Sequence, residues 1–291
     1  MKKPSSNNEK NPSRRDLLRI FAGVASGSLL SIFYVTRVEP DMVEITTPEL
    51  VLPHLHPAFD GYRIMQLSDI HMGSGTNRER MDAAVSRIND LKVDAVVITG
   101  DFVTRKVEPH ADDLRDSLRN LNAPDGVFVV PGNHDYWTDI NLMRRIWQDA
   151  NMIDLSNTHH TVKRGDAVLH IAGVDCYVVH LSDVEKVVRN MPEDGAAILL
   201  AHEPDYADIS AATERFDLQL SGHSHGGQVV IPGLGALVLP RYGRKYYSGL
   251  YQVGTMWQYT NRGLGTIHPR VRFNCRPEIT LMTLRSAQSD S

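Results

Sequence analysis

The chain has 291 residues, 42% of them apolar and 23% charged, the balance of a globular protein and not of a disordered or fibrous one. A net charge of −4 argues against a nucleic-acid partner. Cys176 and Cys275, the only cysteines, make neither a disulfide framework nor a thiolate zinc site and read as small buried apolar residues, with one disulfide as the alternative in an exported protein.

The charge is uneven. Residues 1–19 carry six bases and two acids, leaving the remainder at −8. Ser13-Arg14-Arg15 precedes an apolar stretch from Leu17 to Val35, and Arg37-Val38-Glu39-Pro40 closes it, the layout of a targeting segment. The order S-R-R-x-L-L-R resembles the twin-arginine export signal. Residues 1–40 are therefore expected to be a signal or membrane anchor, engaging a twin-arginine translocase and placing the rest in the periplasm or on the outer face of the cytoplasmic membrane. The apolar stretch approaches the ~20 residues of a bilayer span. It contains Gly23, Gly27 and several serines and has no clean cleavage site, so a cleaved signal and a retained tether both stand.

Residues 42–60 read as a strand and a proline-punctuated lead-in. Tyr62–Leu67 reads as a strand. Asn77–Leu91 reads as a helix, with Met81, Ala84, Val85 and Ile88 at helical spacing. Ala95–Thr99 is apolar throughout, a buried strand. Helix (Glu108–Leu121), strand (Gly126–Val130) and helix (Asp139–Ala150) follow, then hairpin strands across 152–173. Short helices over Val184–Arg189 and Asp205–Ala212 alternate with strands Ala196–Ala201 and Phe216–Leu220. Beyond Gln228 the pattern turns to strand and glycine-rich loop, ending in the strand Ile279–Leu284. Alternation followed by a β-rich end predicts one α/β domain over 42–285 with a polar tail at 286–291.

Polar residues follow these strands directly: Ser68-Asp69-Ile70-His71, Gly100-Asp101, Gly132-Asn133-His134-Asp135, His202, and Gly222-His223-Ser224-His225. Ligands of α/β sheets bind at carboxyl strand ends, so scattered residues converge on one rim. Asp69, His71, Asp101, Asn133, His202, His223 and His225 offer nitrogen and oxygen donors without a thiolate. That is more than one tetrahedral zinc needs and suits two divalent ions such as Mn, Zn or Fe. Ions so paired activate water and clamp a phosphoryl oxygen. His54, His56, His110, His159, His160, His170, His180 and His268 are read as bystanders.

Gly222-His223-Ser224-His225-Gly226 also fits the G-x-S-x-G elbow of serine hydrolases. An elbow needs a following helix, and Gly226–Gly233 reads as a poor helix and a fair strand. His202-Glu203-Pro204-Asp205-Tyr206 is not H-E-x-x-H, and Gly73-Ser74-Gly75 lacks the Gly-Lys of a phosphate-binding loop.

The ordered set D-x-H, G-D, G-N-H-D, lone H and G-H-x-H resembles the calcineurin-like metallophosphoesterases over residues 60–285. The resemblance implies a four-layer α/β/β/α sandwich. It implies that Asp69, His71 and His225 hold one metal, that Asn133, His202 and His223 hold the other, and that Asp101 bridges them. It implies that His134 is the catalytic residue, contacting the phosphate or protonating the leaving oxygen. With GHSHGGQ, PRYGRKYYSGLY, YTNRGLG and NCRPEITLMTL, the chain is similar to an exported bacterial YkuE/YaeI-type phosphodiesterase subgroup, close to UDP-2,3-diacylglucosamine pyrophosphatases. A phosphodiester or pyrophosphate bond in a small-molecule or lipid-linked envelope substrate is implied, hydrolysed by a monomer. The chain departs from the G-D-x-x-D-R-G of protein phosphatases at Gly100–Lys106, which speaks against phosphoprotein substrates. A metal-loaded binding module without catalysis is the alternative. Arg241, Arg244, Lys245, Arg262, Arg270, Arg272 and Arg276 read either as an anion site or as a solvated basic face.

Overall fold

Side chains along a strand alternate between faces, and here the two faces of each central strand enter different cores. In β4 (Ala95–Thr99), Ala95 and Val97 join one apolar cluster while Val96 and Ile98 join another. In β9 (Ala196–Leu200), Ala196, Ile198 and Leu200 join the same cluster as Ala95 and Val97, whereas Ala197 and Leu199 face a third. Three cores require four layers. The structure is a computed structural model and describes residues 27–287 together with Arg14 and Arg15.

The first sheet runs β1 (Glu44–Thr46), β15 (Glu278–Ser286), β3 (Tyr62–Leu67), β4, β5 (Val127–Val130), β6 (Ile153–Asp154), with β2 (Glu49–Leu52) also on β15. Strands β3 to β6 are parallel, and β15 is antiparallel to β3. The second sheet runs β13 (Gly249–Val253), β14 (Met256–Thr260), β10 (Leu218–Ser221), β9, β8 (Ala167–Gly173), β7 (Thr158–Arg164). A two-stranded ribbon, β11 (Val230–Ile231) with β12 (Gly235–Ala236), stands apart.

Helix α1 covers residues 27–33. Helices α2 (Arg78–Asp90), α3 (Ala111–Leu118) and α5 (Ile140–Asp149) cover the outer face of the first sheet, while α6 (Val184–Asn190) and α7 (Ala207–Ala211) cover the second. Their starts are chemically marked: Asn77 and Asp139 accept from the backbone N–H of Arg80 and Leu142, capping α2 and α5. The expected four-layer sandwich is the fold found.

Local differences have local causes. The stretch 42–60 holds two short strands, both needed to cover the long edge of β15. The helix expected over Glu108–Leu121 is a 3-10 turn at Glu108–His110, which contains Pro109, followed by α3. Residues 152–173 divide between sheets: β6 pairs with β5, and β7–β8 form a hairpin in the second sheet. A short helix, α4 (Asn133–Trp137), unforeseen in the sequence, opens directly after β5.

Ser286 still belongs to β15, and residues 288–291 of the expected tail lie outside the described residues, as does most of the signal-like segment. Leu29, Leu30, Ile32 and Phe33 are exposed. The chain then joins the domain: Arg272 N–H donates to the Val35 carbonyl (2.9 Å) and Cys275 N–H to Glu39 Oε1 (2.7 Å). No helix of the described residues is long and apolar enough to cross a membrane. Both cysteines are free and buried.

Ile198 is fully buried between the sheets. Ile198→Ala is expected to cost about 2–5 kcal/mol, read as a lower urea midpoint with unchanged slope.

Candidate metal centre

Each expected ligand follows a strand of the central layers: Asp69 and His71 after β3, Asp101 after β4, Asn133 after β5, His202 after β9, His223 and His225 after β10. Because β3, β4, β5, β9 and β10 run parallel within their sheets, the loops that leave them gather at one rim. The turns are tight. Asp69, His71, Asp101, His223 and His225 all adopt left-handed backbone, with φ between 48° and 66°. Such φ values are uncommon outside glycine, although Asp and His tolerate them best, and they cluster at functional sites. Glycines admit the close approach. A Cβ on Gly132 would lie 2.2 Å from Asp101 Oδ1, and one on Gly222 would lie 2.3 Å from Asp69 Oδ2.

Two groups of donors result. In the first, His225 Nε2 lies 3.3 Å from Asp69 Oδ1 and 3.0 Å from His71 Nε2. In the second, His202 Nε2 lies 3.3 Å from Asp101 Oδ2 and 3.2 Å from His223 Nδ1. Asp101 Oδ2 is also 3.6 Å from His71 Nε2, so this carboxylate touches both groups. Asn133 is buried, and its Oδ1 has no hydrogen-bond partner.

The outer nitrogens settle the ring protons. His202 Nδ1–H donates to the Thr99 carbonyl (2.6 Å) and His223 Nε2–H to the Arg241 carbonyl (2.8 Å). Each ring therefore turns a lone pair inward, toward the other ring and toward Asp101. Backbone carbonyls commonly fix metal-binding histidines in this way. Burial pushes the His71 imidazole down to about 3 and lowers His223 and His225 as well, which keeps these rings neutral. Burial raises the Asp69 carboxyl to about 6. His202 goes the other way: burial opposes its charge, but the Asp101 carboxylate outweighs burial and raises it well above the usual histidine range. Without a cation, a proton is drawn into the space between Asp101 and the two imidazoles. Neutral imidazoles, carboxylates and an unpartnered amide oxygen form a donor set that fits divalent cations.

His134 lies beside this set. Its N–H donates to Asp101 Oδ1 (2.8 Å), and its Nδ1–H donates to the Thr104 carbonyl (2.9 Å). The ring meets His71 and Trp137 edge to face, at 4.9 Å from each. His71, Asp101 and His134 also form a compact group.

Several positioning residues escaped the sequence reading. Ser68 Oγ donates to Asp69 Oδ2 (2.6 Å). Thr104 holds His71 Nδ1 through its hydroxyl (3.1 Å) and His134 through its carbonyl. Asp135 accepts from the N–H groups of Asp101, Phe102 and Gly132 at 2.8–2.9 Å, tying two loops together. Only its place inside G-N-H-D hinted at this. The buried guanidinium of Arg272 donates to the carbonyls of Arg262 and Gly265, at 2.8 and 2.6 Å.

Four of the seven basic residues are already engaged within the fold. Arg272 is a loop clamp, and Lys245, Arg262 and Arg270 pair with Asp208, Glu278 and Asp41. Among the described residues, none of the eight bystander histidines belongs to a metal-compatible group. Ser224 is buried, donates to the Tyr247 carbonyl and opens only a single 3-10 turn, so it is no nucleophile elbow.

A family model described as calcineurin-like phosphoesterase matches residues 62–227. The metallophosphoesterase YkuE of Bacillus subtilis (strain 168) is 34% identical over 289 residues, covering 95% of this chain and 99% of that protein. A transmembrane protein with metallophosphoesterase domain from Bos taurus is 32% identical, over 94% of this chain and 64% of its own. The UDP-2,3-diacylglucosamine pyrophosphatase LpxG of Chlamydia muridarum (strain MoPn / Nigg) is 27% identical, over 89% and 94% respectively. The chain belongs to the calcineurin-like phosphoesterase family. Within that family it is a metal-dependent phosphohydrolase.

Asp135→Asn replaces an acceptor with a donor that faces backbone N–H groups. It is expected to destabilise the protein by roughly 1–3 kcal/mol in chemical denaturation, with catalytic rate lost under conditions where the chain remains folded.

Proposed function

We propose that the protein hydrolyses a phosphodiester or pyrophosphate bond in a cell-envelope or lipid-linked substrate such as UDP-2,3-diacylglucosamine. The observation that carries this reading is Asp101, whose Oδ2 touches both donor groups while its Oδ1 takes the His134 N–H. Asp69, His71 and His225 would hold one divalent cation, and Asn133, His202 and His223 a second, with Asp101 shared. Manganese, zinc or iron suits this mixed imidazole and carboxylate set. Such a pair supplies Lewis-acid charge for the phosphoryl oxygens and makes a nucleophile from water at neutral pH.

The remaining roles fall to the chain. Thr99 and Arg241 carbonyls hold the outer N–H groups of His202 and His223, so the inner nitrogens would take a cation in place of the proton they otherwise share. Thr104 holds the His134 Nδ1–H, so Nε2 is free to face the phosphate; as the imidazolium the ring would donate from Nε2 to a phosphoryl oxygen or give that proton to the departing oxygen, returning to the neutral Nδ1–H form. The products would be a phosphomonoester and an alcohol, or two phosphates. The similarity to LpxG supports a lipid-linked pyrophosphate. The twin-arginine pattern of residues 1–40 supports export, with 42–285 as the catalytic domain and the apolar stretch as signal or tether.

Purified protein with Mn²⁺ is expected to hydrolyse bis(p-nitrophenyl) phosphate; a metal-loaded module without turnover would refute the enzyme reading. Asp101→Ala should lose bound metal and activity together. His134→Ala should retain metal and lose about 10²–10⁴-fold in kcat; full activity in that variant would remove His134 from the chemistry. Arg14→Lys with Arg15→Lys should leave the protein in the cytoplasmic fraction on cell fractionation, and unchanged distribution would count against twin-arginine export.

A further inference from the structure

Two hollows lie near the candidate metal centre, and they differ in chemistry. One, of about 330 Å³, is lined by Thr104, Arg105 and Lys106. Thr104 also bonds His71 and His134. The other, of about 300 Å³, is lined at one end by His223 and His225. Its walls are Val229, Leu237, Val238, Pro240, Ile267 and Val271. His268 borders both hollows.

The second cavity is built by the ribbon β11–β12 and the loop before β15. Leu237 N–H donates to the Val229 carbonyl (3.2 Å), and Val230 N–H to the Phe273 carbonyl (2.9 Å), so these walls are held by backbone bonds. Yet Leu237 is 59% exposed and Val238 76% exposed. Apolar side chains gathered at an open mouth mark a binding surface. A pocket with apolar walls and a polar end suits a ligand of the same division. Because that end is formed by His223 and His225, two of the candidate ligands, an apolar occupant there lies next to whatever group the centre holds.

We propose that this cavity is an acyl-chain subsite: it takes one hydrocarbon chain of the substrate while the attached phosphate lies at the metal centre. The proposal rests on the phosphoesterase reading above and narrows its substrate to amphiphilic phosphoesters. At ~30 Å³ per methylene, near the volume share of a water molecule, the cavity accommodates about ten carbons. Arg105 and Lys106, both exposed in the neighbouring hollow, suit a polar or anionic part of the same substrate.

The test is calorimetric binding of monoalkyl phosphates, ethyl to dodecyl and below their micelle concentrations, to the Mn²⁺-loaded full chain. Affinity should rise roughly two- to fourfold per methylene and level off near ten carbons. Val271→Asn should flatten that rise. Val238→Asn, at a well-exposed position that folding tolerates, should also weaken it. Affinity independent of chain length overturns the proposal. So does a rise that persists in both variants, since the chain would then bind elsewhere, for example on the exposed side chains of α1. Hydrolysis of bis(p-nitrophenyl) phosphate by the same preparation separates the two readings. Turnover with flat binding removes only the subsite, and chain-length-dependent binding without turnover removes only the catalytic assignment.

Discussion

The structure turns on electron-rich atoms gathered so closely that, with no cation among them, a proton is drawn between them. His202 and His223 spend their outer N–H groups on the carbonyls of Thr99 and Arg241, so their remaining nitrogens face each other and Asp101. His71 and His225 converge beside Asp69, with His71 held through Nδ1 by the Thr104 hydroxyl. Unpaired, such an arrangement is repulsive, and a cation makes it favourable. The fold supplies the rigidity that holds the donors in place against that repulsion. Two sheets packed through one core fix the strand ends, and buried hydrogen bonds from Ser68, Thr104 and Asp135 fix the loops that leave them.

The loops also carry conformational cost. Asp69, His71, Asp101, His223 and His225 hold left-handed backbone, which regular packing would avoid. The compensation is local and visible. Asp135 ties the Asp101 loop to Gly132, and Arg272 gathers the carbonyls around Arg262 and Gly265 without a carboxylate partner. Its buried positive charge stands near the acidic centre, within reach of Asp69 electrostatically. A side chain that reads as one more surface base is thus part of the scaffold.

The central strands were legible because buried parallel strands leave apolar runs, and Ala95–Thr99 and Ala196–Leu200 are such runs. The ligand candidates were legible because each follows a run directly. What escaped the sequence depends on backbone atoms or on partners far along the chain. The carbonyls of Thr99, Thr104 and Arg241 carry no residue-type signal. The pairing of β6 with β5, away from the adjacent hairpin, is a tertiary contact with no signal of its own in the residues 152–173. The fate of Arg262 and Arg272 was hidden for the same reason, since Glu278 and the carbonyl cluster become neighbours only in three dimensions.

Strand β15 comes last among the strands yet lies inside the first sheet, between β3 and the short pair β1 and β2. Met282 and Leu284 from it complete the core between the sheets. The early strands therefore cannot close their layer until the late one arrives, and neither half of the polypeptide is a self-sufficient unit. Long-range pairing of this kind slows assembly but makes it all-or-none. Until β15 is in place, β3 has an unpaired edge on that side, and the loop carrying Asp69 and His71 leaves a strand whose sheet is incomplete.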